Sequence, residues 1–150
     1  MIANSKKIDS LQWVLRLTYG FVPLVAGLDK FFNVLTRWEQ YVNPSVARLL
    51  PFSTSTFMHV AGVVEIVAGI VVLSRFTKLG AYVVSAWLTL IALSLMFSGH
   101  YLDVAVRDLV MAVGAYSLGV LSSSLEESRS QAPSYAERHF PPLHEDSVSA

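Results

Sequence analysis

The stretch Leu79-Gly-Ala-Tyr-Val-Val-Ser-Ala-Trp-Leu-Thr-Leu-Ile-Ala-Leu-Ser-Leu-Met-Phe97 decides the fold class. It contains no acidic, basic or histidine side chain. As an α-helix rising 1.5 Å per residue it is about 28 Å long, close to the ~30 Å hydrocarbon core of a bilayer. An open strand of this composition would leave backbone N–H and C=O groups unpaired in lipid, so a membrane-spanning helix is the physical reading.

Working outward, three more segments read as spans: Leu11–Leu35, Phe57–Leu73 and Val104–Leu121. The connections Ser74–Lys78 and Ser98–Asp103 are short, so the helices they join should be antiparallel neighbours. Pro23 should kink the first span, and Asp29 and Lys30 interrupt its far end. The expected architecture is an all-α integral membrane four-helix bundle, up-down-up-down. Residues 1–121 form the transmembrane domain, with an interfacial loop at 36–56, and 122–150 form a polar tail expected to be largely disordered.

Composition agrees. Of 150 residues 53% are hydrophobic and 15% charged, with a mean hydropathy of +0.51. A soluble domain carries about 25% charged residues. The formal net charge is zero, which gives no footprint for nucleic acid. No cysteine is present, which excludes a disulfide framework, a thiolate metal site and thiol redox chemistry on this chain.

Lys6 and Lys7 precede the first apolar run as in a signal peptide. That run is longer than a ~7–15 residue h-region, and no small-x-small site closes it, so a retained span is expected. In the loop Thr36–Thr56, Asn43-Pro44 supplies an N-cap and a first-position proline. A short helix should run from there to Pro51, with Trp38 and Tyr41 at the membrane interface. Lys6, Lys7, Arg75, Lys78, Arg129 and Arg138 fall on one side of the membrane, and Arg37 and Arg48 on the other. The excess of basic residues predicts cytoplasmic termini.

With this topology Asp29, Lys30, His59, Glu65, His100, Asp103, Arg107 and Asp108 all fall in the outer half of the bundle. The inner half holds only Arg16, near a helix start where it can snorkel. A charged side chain within a span costs about 2.5–3.5 kcal/mol on insertion scales, so such groups face the bundle interior and pair. Asp103 and Arg107 are four apart on one face, with Asp108 adjacent. Glu65 shares a face with Gly62 and Gly69, where another helix or a ligand can come close. Lys30, Glu65, Arg107, Asp108, Asp103, Asp29 and His59 are therefore the candidate ligand or proton site, with no catalytic residue assigned.

Two readings of the cluster stand side by side: ion pairs that lock helices together, or a pocket for a quinone, another lipophilic molecule or a proton path. Haem is disfavoured, since His59 and His100 near helix ends are weak axial candidates. No metal site is expected, because His59 and Glu65 are six residues apart and do not share a helix face. The tryptophans are read as interface anchors or packing residues.

Arg16-Leu-Thr-Tyr-Gly20 through Gly27-Leu-Asp-Lys30 resembles the first helix of DoxX-like membrane proteins. Gly62-Val-Val-Glu65-Ile-Val-Ala-Gly69 resembles their second. Arg75 followed by Gly80-Ala81 is similar to the start of the third, and Tyr101-Leu-Asp103 to Arg107-Asp108-Leu is similar to the fourth. The resemblance covers about Leu11 to Leu121 and lies in the order and spacing of short motifs. It implies a four-helix membrane bundle, an association with quinone-linked redox systems and membrane oxidoreductase assemblies, and Lys30, Glu65, Arg107 and Asp108 as family positions.

The expected function is a membrane subunit of a quinone-linked redox system with an outer-leaflet polar site. The alternative is a noncatalytic scaffold or assembly partner held by buried ion pairs. Neither reading makes the chain a stand-alone enzyme. A transporter ranks last, because the inner half lacks polar residues for a through path. No cofactor is fixed by the residues; quinone is the one compatible with the polar cluster and the resemblance. Expected partners are the lipid bilayer and a membrane or redox protein, with self-association open and nucleic acid excluded. The expected location is a bacterial inner (plasma) membrane.

Overall fold

A computed structural model describes residues 2–139. Five α-helices follow one another: α1 (Ile2–Phe32), α2 (Pro44–Leu49), α3 (Thr54–Leu73), α4 (Thr77–Ser98) and α5 (Leu102–His139), with a 3-10 turn at Trp38–Tyr41. The described residues contain no strand. Four stretches are long and apolar enough to cross a membrane, namely Lys6–Phe32, Thr54–Leu73, Thr77–Ser98 and Leu102–Gln131. The all-α, up-down-up-down bundle expected from the sequence is the observed one.

The bundle is built from two antiparallel pairs, α1 with α3 and α4 with α5, joined mainly where α3 packs on α4. Glycine sets the first pair. A β-carbon on Gly27 would lie 2.6 Å from the Gly62 carbonyl oxygen, and one on Gly69 would lie 2.6 Å from that of Gly20. Seven residues separate the glycines on each helix, so both contacts fall on one face. Without β-carbons the two backbones approach closely, which supplies the dispersion and close packing that drive helix association in lipid. The second pair meets through alanines, with Ala92, Ala105 and Ala115 fully buried. Large apolar side chains such as Phe21, Val67 and Val113 face outward instead. Lipid is their solvent, so exposure there carries no hydrophobic penalty.

Local rules terminate the helices. Gly99 adopts φ +70°, the left-handed conformation that ends α4, and its N–H donates to the Met96 carbonyl. At the α3–α4 turn the Thr77 hydroxyl donates to the Val72 carbonyl at 3.0 Å. Arg16 does not snorkel to water as the sequence suggests. Its guanidinium donates to the Val72, Leu73 and Ser74 carbonyls, satisfying the last turn of α3 and placing a cation at the negative end of that helix.

Of two segments outside the four spans' cores, one differs from the sequence reading. α2 begins at Pro44 as expected, with the Ala47 N–H donating to the Asn43 carbonyl at 2.9 Å. Ser122, where the polar tail was expected to begin, lies inside α5. It is buried and hydrogen-bonded to Gln12 at 3.2 Å, and the helix continues to His139. Residues 140–150 of the tail lie outside the described residues.

Candidate ligand-binding cavity

A cavity of about 970 Å³ lies between the two helix pairs, lined also by the α1–α3 connection. Most of its wall is apolar, including Tyr19, Val22, Leu88 and Met111. Several of its polar groups surround one buried pair. Lys30 Nζ lies 2.6 Å from Glu65 Oε2, and the two side chains are only 6% and 9% exposed. Glu65 stands 11 residues into α3, about 16 Å from its start and near mid-depth. Water cannot cheaply solvate either charge there, so each depends on the other and on the groups around it.

Those groups are tryptophans. The Trp87 indole N–H donates to Glu65 Oε1 at 3.3 Å. Lys30 Nζ also sits 3.7 Å from the ring centre of Trp38, whose own N–H donates to Asp29 Oδ2 at 2.7 Å. Asp29 further accepts the Val34 and Leu35 N–H groups just past the end of α1. A continuous polar chain therefore runs Asp29–Trp38–Lys30–Glu65–Trp87 across α1, the connecting loop, α3 and α4. Among the described residues every buried side-chain nitrogen or oxygen has a hydrogen-bond partner.

From α5, Asp108 and Arg107 line the same cavity. Asp108 lies within electrostatic reach of Glu65, Arg107 and Lys30, and it makes no hydrogen bond or ion pair among the described residues. Arg107 pairs with Asp103 at 3.2 Å, with both side chains more than 70% exposed, so that pair marks the rim of the cavity. The connecting loop supplies part of the wall. Trp38, Tyr41 and Val46 line the cavity, Tyr41 packs edge-on against Tyr101 at 4.8 Å, and the Asn43 amide donates to the Ser94 carbonyl at 3.2 Å.

The seven residues singled out from sequence thus separate. Lys30 and Glu65 meet, Asp108 and Arg107 share their cavity, Asp103 sits at the rim, and Asp29 joins through Trp38. His59 is not brought in. It stacks on Phe31 at 4.9 Å with the rings 3° from parallel. Among the described residues no group of three or more histidine or acidic side chains is arranged to hold a metal ion.

Trp38 and Trp87 are corrections to the sequence reading, which made them anchors or packing residues. Trp87 lies mid-way along an otherwise apolar span, far from either interface. An indole N–H at that depth needs an acceptor, and a carboxylate on a neighbouring helix is one. The signal was present in its position.

A model of the DoxX family matches residues 11–100. The chain belongs to the DoxX family. This DoxX protein is an integral membrane protein by its four spans and its family. The DoxX match takes in α1, α3 and α4, and with them Lys30, Glu65, Trp38 and Trp87, while Arg107 and Asp108 lie beyond it. No curated protein and no solved structure matches the chain.

Proposed function

We propose that this DoxX protein holds the head of a quinone in the cavity at Lys30 and Glu65, as a membrane subunit of a quinone-linked redox system. One observation carries the reading: a large apolar cavity at membrane depth in whose wall Lys30, Glu65 and the indoles of Trp38 and Trp87 meet at a single spot. A lipophilic molecule with a polar ring matches that division, since ligand sites pair mostly apolar walls with a few placed polar groups.

The Lys30 ammonium and the Trp87 N–H are donors suited to ring carbonyl oxygens. Reduction of a quinone takes two electrons and two protons. The chain has no cysteine, so it holds no thiol couple, and in this reading a partner protein supplies the electrons. Glu65 and Asp108 are the carboxylates placed to pass protons. Intramembrane ionisable groups are functional candidates by default, because their cost must be met by some use.

In this reading the protein sits in the inner membrane of a bacterium, with the cavity opening on the outer side. Lys6, Lys7, Arg75, Lys78 and Arg129 gather at the opposite end, which the positive-inside tendency puts in the cytoplasm.

A second reading has its own support. The Lys30–Glu65 pair bridges α1 and α3, and the Trp87 bond ties in α4. A scaffold that only assembles other subunits would use the same contacts to fix its helices. Mass spectrometry of organic extracts from the purified protein separates the two. A quinone retained by the wild type and lost from a folded Glu65→Gln variant supports the ligand site. Extracts with no quinone from either protein favour the scaffold.

A further inference from the structure

A second cavity, of about 380 Å³, lies at the opposite end of the bundle between α1, α4 and α5. Its wall carries three guanidinium groups, Arg16, Arg75 and Arg129, against one carboxylate, Glu126, a balance of two positive charges. The three arginines are not equally engaged. Arg16 is committed to the carbonyls that end α3. Arg129 reaches Asp9 only at 3.5 Å, with both side chains well exposed. Arg75 lies over the Phe76 ring at 5.0 Å and makes no hydrogen bond or ion pair among the described residues. Arg75 is thus left to recognise an anion, and Arg129, held only by a long exposed pair with Asp9, is near enough to join it, beside the polar side chains of Gln12 and Thr77.

The depth of this cavity selects the kind of anion. Arg16 binds at the end of α3 and Thr77 opens α4, so the cavity sits where two spans reach the membrane surface. Trp13 forms part of its wall, 4.9 Å from the Arg16 guanidinium and more than half exposed, as an interfacial tryptophan would be. Leu17 and Phe21 follow Trp13 at four-residue steps, both exposed on the same face of α1. A phosphate at the arginines could therefore continue into acyl chains along an apolar strip.

We propose that this cavity binds the headgroup of an anionic glycerophospholipid, with Arg75 and Arg129 contacting the phosphate. Basic pockets between helices at a membrane surface recognise such headgroups, and each arginine near the surface contributes about fivefold in affinity. The site is independent of what occupies the larger cavity.

Native mass spectrometry of delipidated protein in detergent tests it, using phosphatidylglycerol and phosphatidylcholine with matched acyl chains. The wild type should retain phosphatidylglycerol in preference. The Arg75→Gln/Arg129→Gln double variant should lose that preference by about 25-fold if the two contributions combine, while Arg75→Lys/Arg129→Lys keeps most of it. Arg16 is left intact so that the end of α3 stays capped, and an unchanged helical circular dichroism spectrum controls for folding. Millimolar inorganic phosphate should not displace the lipid. Equal binding of both lipids by the wild type, no loss in the Gln variant, or displacement by free phosphate would each overturn the proposal.

Discussion

Gly27 on α1 faces Gly62 on α3 so closely that a β-carbon on Gly62 would stand 2.7 Å from the Gly27 carbonyl oxygen. That contact aligns the two helices a turn away from the Lys30–Glu65 pair, so the packing of small residues and the placement of the charges are one arrangement. Gly62→Ala must push two backbones apart, because the obstacle is main chain and cannot rotate away. A loss of about 1–3 kcal/mol is expected, read from denaturant unfolding in detergent. Wild-type stability for Gly62→Ala would show that the helices are farther apart than described.

Removing one member of the buried pair should cost more than removing both. Lys30→Met leaves Glu65 without its cation at mid-depth, a loss of about 3–5 kcal/mol. Lys30→Met/Glu65→Leu removes both charges and should recover most of that stability. The comparison is a double-mutant cycle by thermal unfolding. Additive losses would mean that the two side chains do not depend on each other.

Arg16 is predicted to act on α3 from another helix. Arg16→Met frees three carbonyls at the end of α3 and should destabilise the protein by about 2 kcal/mol, the scale of hydrogen bonds from a charged donor. Hydrogen exchange should show lost protection around the α3–α4 turn, with no change at the far end of the bundle. Uniform loss of protection would contradict the local role.

The Asp103–Arg107 pair should matter little to stability. Both side chains are more than 70% exposed, and exposed pairs of this i,i+4 type are worth about 0.3–0.5 kcal/mol. Asp103→Asn is expected to unfold within that margin of the wild type. A loss several times larger would mean that the pair is buried in the membrane-embedded protein.

Much of the fold was open to reading from the sequence, because the bilayer restricts what an apolar run can do. Leu79–Phe97 has few alternatives to a spanning helix, and Asn43-Pro44 carries its own start signal for α2. That Lys30 and Glu65 turn into the bundle followed from the cost of charge in lipid together with up-down topology; that each is the other's partner did not, because depth alone leaves Lys30 several carboxylates to choose from. The role of His59 did not. Its position along α3 gives its depth but not the direction its ring faces, and it turned to Phe31. The connecting loop was legible as interfacial in composition. Its position at the cavity depends on contacts such as Tyr41–Tyr101 that join residues 60 positions apart. The tail is expected from Ser122 because the chain turns polar and Pro-containing there, yet a hydroxyl bonded to Gln12 sits comfortably in a helix.

The claim that the larger cavity receives a quinone is tested most directly by titrating purified protein with a short-chain benzoquinone and following tryptophan fluorescence. Trp38 and Trp87 both line that cavity, whereas Trp13 lies at the other end. Saturable quenching is predicted for the wild type. It should be weakened in Ala26→Phe, which intrudes on the cavity one turn from Lys30 without removing a polar group. Quenching that never saturates, or that is identical in Ala26→Phe, would contradict the account.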